Sequence, residues 1–103
     1  MANPFAKRLK QARLAAGISQ KQLGIQAGID QFAASTRINQ YERGVHAPKY
    51  EIVAKMSKIL KVPVPFFYTA DNNMAEMIRL AYKLPASRRK QIAQNLKQLT
   101  IED

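Results

Sequence analysis

A group of hydrogen-bonding side chains lies within nine consecutive residues, 35–43, whose sequence is STRINQYER. If this stretch is a helix with Ile38 toward a core, a rotation of about 100° per residue places polar side chains on the outer face and its flanks. They are Thr36, Arg37, Asn39, Gln40 and Arg43. Guanidinium groups match guanine O6 and N7, and Asn or Gln amides match adenine N6 and N7. The stretch therefore carries the side chains that recognition of base edges requires.

Catalytic chemistry has little support in this chain. His46 is the sole histidine and there is no cysteine, so a Ser-His-Asp arrangement or a metal site would rest on one imidazole. No glycine-rich phosphate loop with its Lys and Ser/Thr is present. We predict no enzyme, no cofactor and no metal, with His46 in a solvated loop.

Two short helices must position the polar side chains. Ser19 is an N-cap residue for a helix that begins with Gln20, and Gly28 suits a sharp turn because it accepts a positive φ. Ser35 is the expected N-cap of a second helix, which closes at Gly44. Two short helices joined by a glycine turn are typical of a helix-turn-helix.

The stretch resembles the phage-repressor (Cro and lambda-repressor-like, or XRE) helix-turn-helix family. The residues that carry the resemblance are Gln20, Leu23-Gly24, Ala27-Gly28, Ile29 and Ile38-Asn39-Gln40-Tyr41-Glu42-Arg43-Gly44. The match runs from about residue 7 to residue 68. It implies an all-α protein with a five-helix lambda-repressor-like DNA-binding domain over 1–70, followed by a two-helix C-terminal extension over 71–103.

The resemblance also implies roles for single residues. Base-contacting positions fall on Ser35, Thr36, Arg37 and Gln40, and phosphate-contacting positions fall on Gln20, Arg43 and Lys49. Asn39 lies on the flank of the helix, and a rotation of the helix would bring it into the groove. Arg13 and Glu42 match a family ion pair that fixes the first helix against the end of the recognition helix.

The chain departs from the family at two places. Gly24 stands where the family usually has Ala; it keeps the small size needed between the helices but weakens its helix by roughly 1 kcal/mol. The segment between Gly28 and Ile38 is about four residues longer than the family's shortest form, the extra residues being 30–34. Because Phe32 is the one large apolar residue among them, we expect it to pack against the domain in an ordered turn.

The remaining helices follow from apolar spacing. A helix over 4–16 has a buried stripe of Phe5, Leu9, Ala12 and Ala16, with Lys7, Arg8 and Lys10 on a solvated basic face. An amphipathic helix covers 50–60. The resemblance to the phage-repressor family implies a short fifth helix within 62–68.

The C-terminal helices are predicted near 74–81 and from residue 85 onward. The second carries Ile92, Leu96 and Leu99 on one face. This stripe either folds back on its own domain or mediates dimerisation.

Charge favours a polyanionic partner. The net charge is +10, and residues 1–49 hold 8 basic and 2 acidic side chains, or +6. The absence of cysteine excludes disulfides, and no apolar run approaches a membrane span or a signal peptide. We expect a cytoplasmic protein without membrane contact.

The sequence thus predicts a regulator of transcription, a repressor that binds double-stranded DNA as a homodimer on an inverted repeat. One alternative is the antitoxin of a toxin-antitoxin pair, which would cover a toxin with its C-terminal helices. Another is a basic module that binds RNA or an anionic membrane surface without regard to sequence. The operator and any inducer stay open.

Overall fold

The protein is described by a computed structural model that covers residues 3–101, and this part of the chain is all-helical. Its helices are α1 Phe5–Ala16, α2 Gln20–Gln26, α3 Ala34–Glu42, α4 Tyr50–Leu60, α5 Val64–Phe67, α6 Asn72–Tyr82 and α7 Ala86–Thr100. The predicted all-α class, with five helices followed by two, is confirmed. The ends of the two predicted ranges, residues 1–2 and 102–103, lie outside the described residues.

The first five helices enclose one hydrophobic core. Its fully buried members include Leu9, Leu23, Ile38, Val53, Met56, Phe66 and Phe67. The apolar stripe of α1 is buried as predicted at Phe5, Leu9 and Ala12. Ala16 is exposed instead, because the last turn of α1 borders an open cleft that Ile59 also lines.

Arg8 is buried, not solvated as its place among the basic residues of α1 predicts. The side chain is 2% exposed. Its Nε donates to the carbonyl of Thr69 at 2.8 Å, and Nη2 donates to the carbonyl of Ala70 at 2.9 Å and to Asn72 Oδ1 at 3.1 Å. Nη1 donates to Gln11 Oε1 at 3.0 Å. Arg8 therefore ties α1 to the segment between α5 and α6, where free carbonyls supply the acceptors.

The predicted starts of α2 and α3 differ in outcome. Ser19 caps α2 in a capping box, accepting from the N–H of Gln22 and donating its own N–H to the Gln22 side chain. Gly28 has the expected positive φ of 88°. The expected N-cap at Ser35 is wrong. The N-cap lies two residues earlier, at Ala33, and has no side-chain cap, because the preceding turn leads directly into α3.

Helices α2 and α3 touch through their backbones at Gly24. A Cβ atom on Gly24 would lie 2.7 Å from Cβ of Ala34 and 2.8 Å from its carbonyl oxygen. The expected need for a small residue is confirmed and is stricter than expected, because even alanine would force the helices apart.

Phe32 does not pack against the domain, and that prediction is wrong. The turn itself is ordered: the N–H of Phe32 donates to Asp30 Oδ2 at 3.0 Å, and the N–H of Ala33 donates to the Asp30 carbonyl at 2.9 Å. The ring is nevertheless 89% exposed. Ile29 and Ala34 pack inward at the two ends of the turn, so the residue between them projects outward.

The C-terminal helices differ in how they are held. Helix α6 packs on the core through Ala75 and Ile78, so this part of the extension folds back on the domain. Helix α7 has no buried residue. Arg89 holds its start by donating to the carbonyls of Ala81, Tyr82 and Leu84 at 2.9–3.2 Å.

The molecule is elongated as a result. Its principal extents are 52 × 31 × 22 Å and its radius of gyration is 15.5 Å, against about 13 Å for a compact domain of this size.

Candidate nucleic-acid interface

An ion pair with bidentate geometry joins α1 to α3. Arg13 Nε lies 2.5 Å from Glu42 Oε2, and Nη2 lies 3.1 Å from Oε1. The third nitrogen, Nη1, donates to the carbonyl of Ile18 at 3.0 Å. The side chains of Arg13 and Glu42 are 11% and 3% exposed. The pair fixes the C-terminal end of α3 against α1, because the planar guanidinium fork accepts only one orientation of the carboxylate.

Gln20 extends this network to α2. Its Nε2 donates to Asn39 Oδ1 at 3.2 Å and to Glu42 Oε1 at 3.1 Å. Both amide hydrogens of Gln20 are thus used inside the protein. A phosphate contact by Gln20 would have to come from its backbone N–H, or after the amide leaves these partners.

The hydrogen bond from Gln20 limits the contacts that the Asn39 amide can make with a base. A bidentate contact with adenine needs both the amide oxygen and the amide nitrogen. The oxygen of Asn39 already accepts from Gln20, and the residue is half-buried. Asn39 therefore helps to orient α3 on α2 and is less available for a base than its neighbours.

The first turn of α3 forms the exposed part of the predicted reading face. Ser35, Thr36 and Arg37 are all exposed, whereas Gln40 is half-buried. The N-terminus of α3 has no side-chain cap. The hydroxyls of Ser35 and Thr36 and the guanidinium of Arg37 are therefore open to an external partner.

Arg37 and Lys49 line a common groove, a proximity that their separation in the sequence does not indicate. The groove has a volume of about 450 Å³, and His46 borders it as well. The loop after α3 folds over the end of that helix, with the N–H of Val45 donating to the Gln40 carbonyl at 3.0 Å. The exposed His46 therefore lines the same groove as the two cations. The predicted loop position of His46 is exposed, and only the tertiary fold shows that it shares a groove with Arg37 and Lys49.

Arg43 borders a separate groove of about 390 Å³, which His46 also lines. Arg43 and Lys49, the residues predicted to contact phosphates, thus line two different grooves.

Within residues 3–101, no group of three or more His, Cys, Asp or Glu side chains could hold a metal ion. In the same part of the chain, no helix has the length and apolar character to cross a membrane.

The fold and the polar face of α3 define a helix-turn-helix protein of the phage-repressor (XRE) class. The family description "Helix-turn-helix" matches residues 9–67, and the chain belongs to this family. It is a non-enzymatic, DNA-binding transcriptional regulator.

Among solved structures, the chain is similar to the transcriptional regulator BswR. The two are 38% identical with a TM-score of 0.85, over 91% of this chain and 93% of that one. No curated protein matches significantly. Since only about a tenth of this chain is left out, the similarity to BswR extends beyond the helix-turn-helix domain into the C-terminal helical region.

Proposed function

We propose that the protein is a repressor that binds an inverted-repeat operator as a homodimer. The observation that carries the proposal is the exposed first turn of α3. The buried Arg13–Glu42 pair holds the other end of this helix against α1. Ser35, Thr36 and Arg37 contact base edges from this turn, with Gln40 one turn further along. Arg43 and Lys49 contact the phosphate backbone. A helix held rigidly at its far end can present these groups in a fixed register.

Dimerisation is proposed from the surface of the C-terminal helices. Large apolar side chains remain between 38% and 79% exposed there: Met74, Met77, Leu80, Tyr82, Ile92, Leu96 and Leu99. Several large apolar side chains left exposed on two consecutive helices are typical of an interface. A second copy of the chain is the proposed occupant, because two-fold dimers place two reading helices on two half-sites.

Selection of bound duplexes from a random pool tests the proposal directly. We expect the recovered sequences to share a palindrome whose half-sites are spaced by about one helical turn of DNA. Recovery of an asymmetric site would contradict the homodimer. Binding that is equal for all duplexes and for single strands would contradict sequence-specific regulation and favour the basic interaction module.

A further inference from the structure

Phe32 is an exposed aromatic residue, close to the reading face of α3, to which the proposed function gives no role. Its ring is 89% exposed although the turn that carries it is ordered. The turn is fixed at both ends, because the N–H of Ile29 donates to the Gly24 carbonyl at 2.9 Å and Ala34 is completely buried against α2. The aromatic ring is therefore presented at one place, not carried on a loose segment.

The position of Phe32 places it at the end of α3 that approaches DNA. It precedes the first residue of α3 by two positions. Recognition helices of this motif present their N-terminal residues to base edges. The exposed Ser35 and Thr36 follow Phe32 by three and four residues, so the turn that carries the ring adjoins the N-terminal end of the predicted reading face.

The chemistry of the phenyl ring limits the groups on DNA that it can contact. A phenyl ring cannot hydrogen-bond a phosphate or a polar base edge. The apolar group in the major groove is the 5-methyl of thymine, which phenylalanine can contact. The exposed residues nearest to Phe32 in sequence, Asp30, Gln31 and Ser35, are polar, whereas the buried centre of a protein interface is depleted in charged residues.

We propose that Phe32 is a base-reading residue whose ring contacts the 5-methyl group of a thymine in the major groove. The contact lies beside the bases that α3 reads. This inference rests on the proposed function, and it assigns specificity to the lengthened turn of this chain.

The test combines a substitution in the protein with the removal of one methyl group from the DNA. Wild-type protein first selects its operator from random duplexes. Each thymine of the selected half-site is then replaced singly by deoxyuridine, which removes only the methyl group. The affinities of wild type and Phe32→Ala are measured for every duplex. Leu14→Ala, at a 60% exposed position on α1, is the matched control.

We expect one deoxyuridine substitution to weaken wild-type binding about four-fold, the ratio that corresponds to burial of one methyl group. Phe32→Ala should bind the thymine duplex more weakly and should not distinguish thymine from deoxyuridine at that position. Leu14→Ala should behave as wild type. All three proteins should have the same melting temperature, because neither ring nor leucine is buried.

Several results would overturn the inference. Equal deoxyuridine effects in wild type and Phe32→Ala would show that the ring touches no thymine methyl. A selected half-site without an invariant thymine would also contradict the contact. If Phe32→Ala changed the dissociation of the dimer in the absence of DNA, the ring would belong to a protein interface instead. If wild type selects no common sequence, the proposed function itself fails; if it selects one and the ring is indifferent, only this inference fails.

Discussion

Arg37 and Lys49 carry the same charge and line the same groove, yet different roles are proposed for them. Arg37 lies on the exposed first turn of the reading helix, whereas Lys49 lies at the N-terminus of α4. A guanidinium on a base edge contributes to choice of sequence, whereas an ammonium on a phosphate contributes to affinity for any duplex. The distinction is testable because the two contacts respond differently to base changes and to salt.

Arg37→Ala should cost roughly 1–3 kcal/mol on the selected operator and relax preference at one base position. Lys49→Ala should weaken operator and random duplexes alike and reduce the slope of log affinity against log salt by about one unit. Binding titrations at two salt concentrations measure both effects. Asn39→Ala is the control and should cost less than Gln40→Ala. Equal losses for Arg37→Ala and Lys49→Ala on every sequence would place both residues on phosphates.

At Gly24, close packing against α3 opposes the effect on stability that helix propensity alone predicts for an alanine. Propensity alone predicts that Gly24→Ala stabilises α2 by about 1 kcal/mol. The added Cβ would meet three atoms of Ala34 at 2.7–2.9 Å. We therefore expect Gly24→Ala to lower the free energy of unfolding by roughly 1–3 kcal/mol through overpacking.

Urea denaturation measures the sign of the Gly24→Ala effect. Combining Gly24→Ala with Ala34→Gly should recover only part of the loss, because the Ala34 carbonyl oxygen and Cα remain too close. A stabilised Gly24→Ala protein would show that α2 and α3 can separate freely.

At the scale of elements, the Arg13–Glu42 pair connects α1 and α3, and Gln20 adds α2 to the same carboxylate. Removal of one partner from a buried pair leaves the other charge without compensation. Glu42→Gln should therefore lower the free energy of unfolding by roughly 3 kcal/mol. It should also weaken operator binding, because α3 loses its anchor.

The exposed pair Glu76–Arg79 supplies a matched control for Glu42→Gln. Its hydrogen bond from Arg79 lowers the pKa of Glu76, but water screens the pair. Glu76→Gln should leave stability nearly unchanged in the same urea titration. A comparable loss in both variants would show that burial of the Arg13–Glu42 pair is unimportant.

For the whole molecule, α7 decides the proposed assembly. Ending the chain at Asn73 would remove Ala75 from the core, so point substitutions on α7 are the cleaner test. The double change Leu96→Lys and Leu99→Lys should convert the proposed dimer to a monomer at micromolar concentration and weaken operator binding. Its melting temperature at protein concentrations where wild type is also monomeric should be unchanged, because α7 buries no residue.

Sedimentation velocity measures the effect of the α7 substitutions on assembly. Gln94→Lys is the control, because position 94 lies on the opposite side of α7 from the apolar stripe at about 100° per residue. It should remain dimeric. A wild-type chain that is monomeric at micromolar concentration would contradict dimerisation through α7 and would favour a different protein as the partner of this surface.

The sequence by itself determined the features that depend on neighbouring residues. Ser19 and Gln22 form the capping box three residues apart, Gly28 takes the left-handed turn, and apolar spacing defines α1, α4, α6 and α7. These signals are local, because caps, turns and helical periodicity act within one or two turns of chain. The resemblance to the phage-repressor family added the arrangement of the first five helices and the candidate residues on α3.

Only the tertiary structure decided the features that depend on residues distant in sequence. Arg8 is buried because acceptors 61–64 residues away surround its guanidinium. The amide of Gln20 donates a hydrogen bond to the amide oxygen of Asn39 because α2 and α3 cross closely at Gly24. Phe32 projects outward because Ile29 and Ala34 occupy the inward positions on either side of it. Apolar character predicts that a side chain favours burial, but whether space in the core remains for it depends on where the other helices lie.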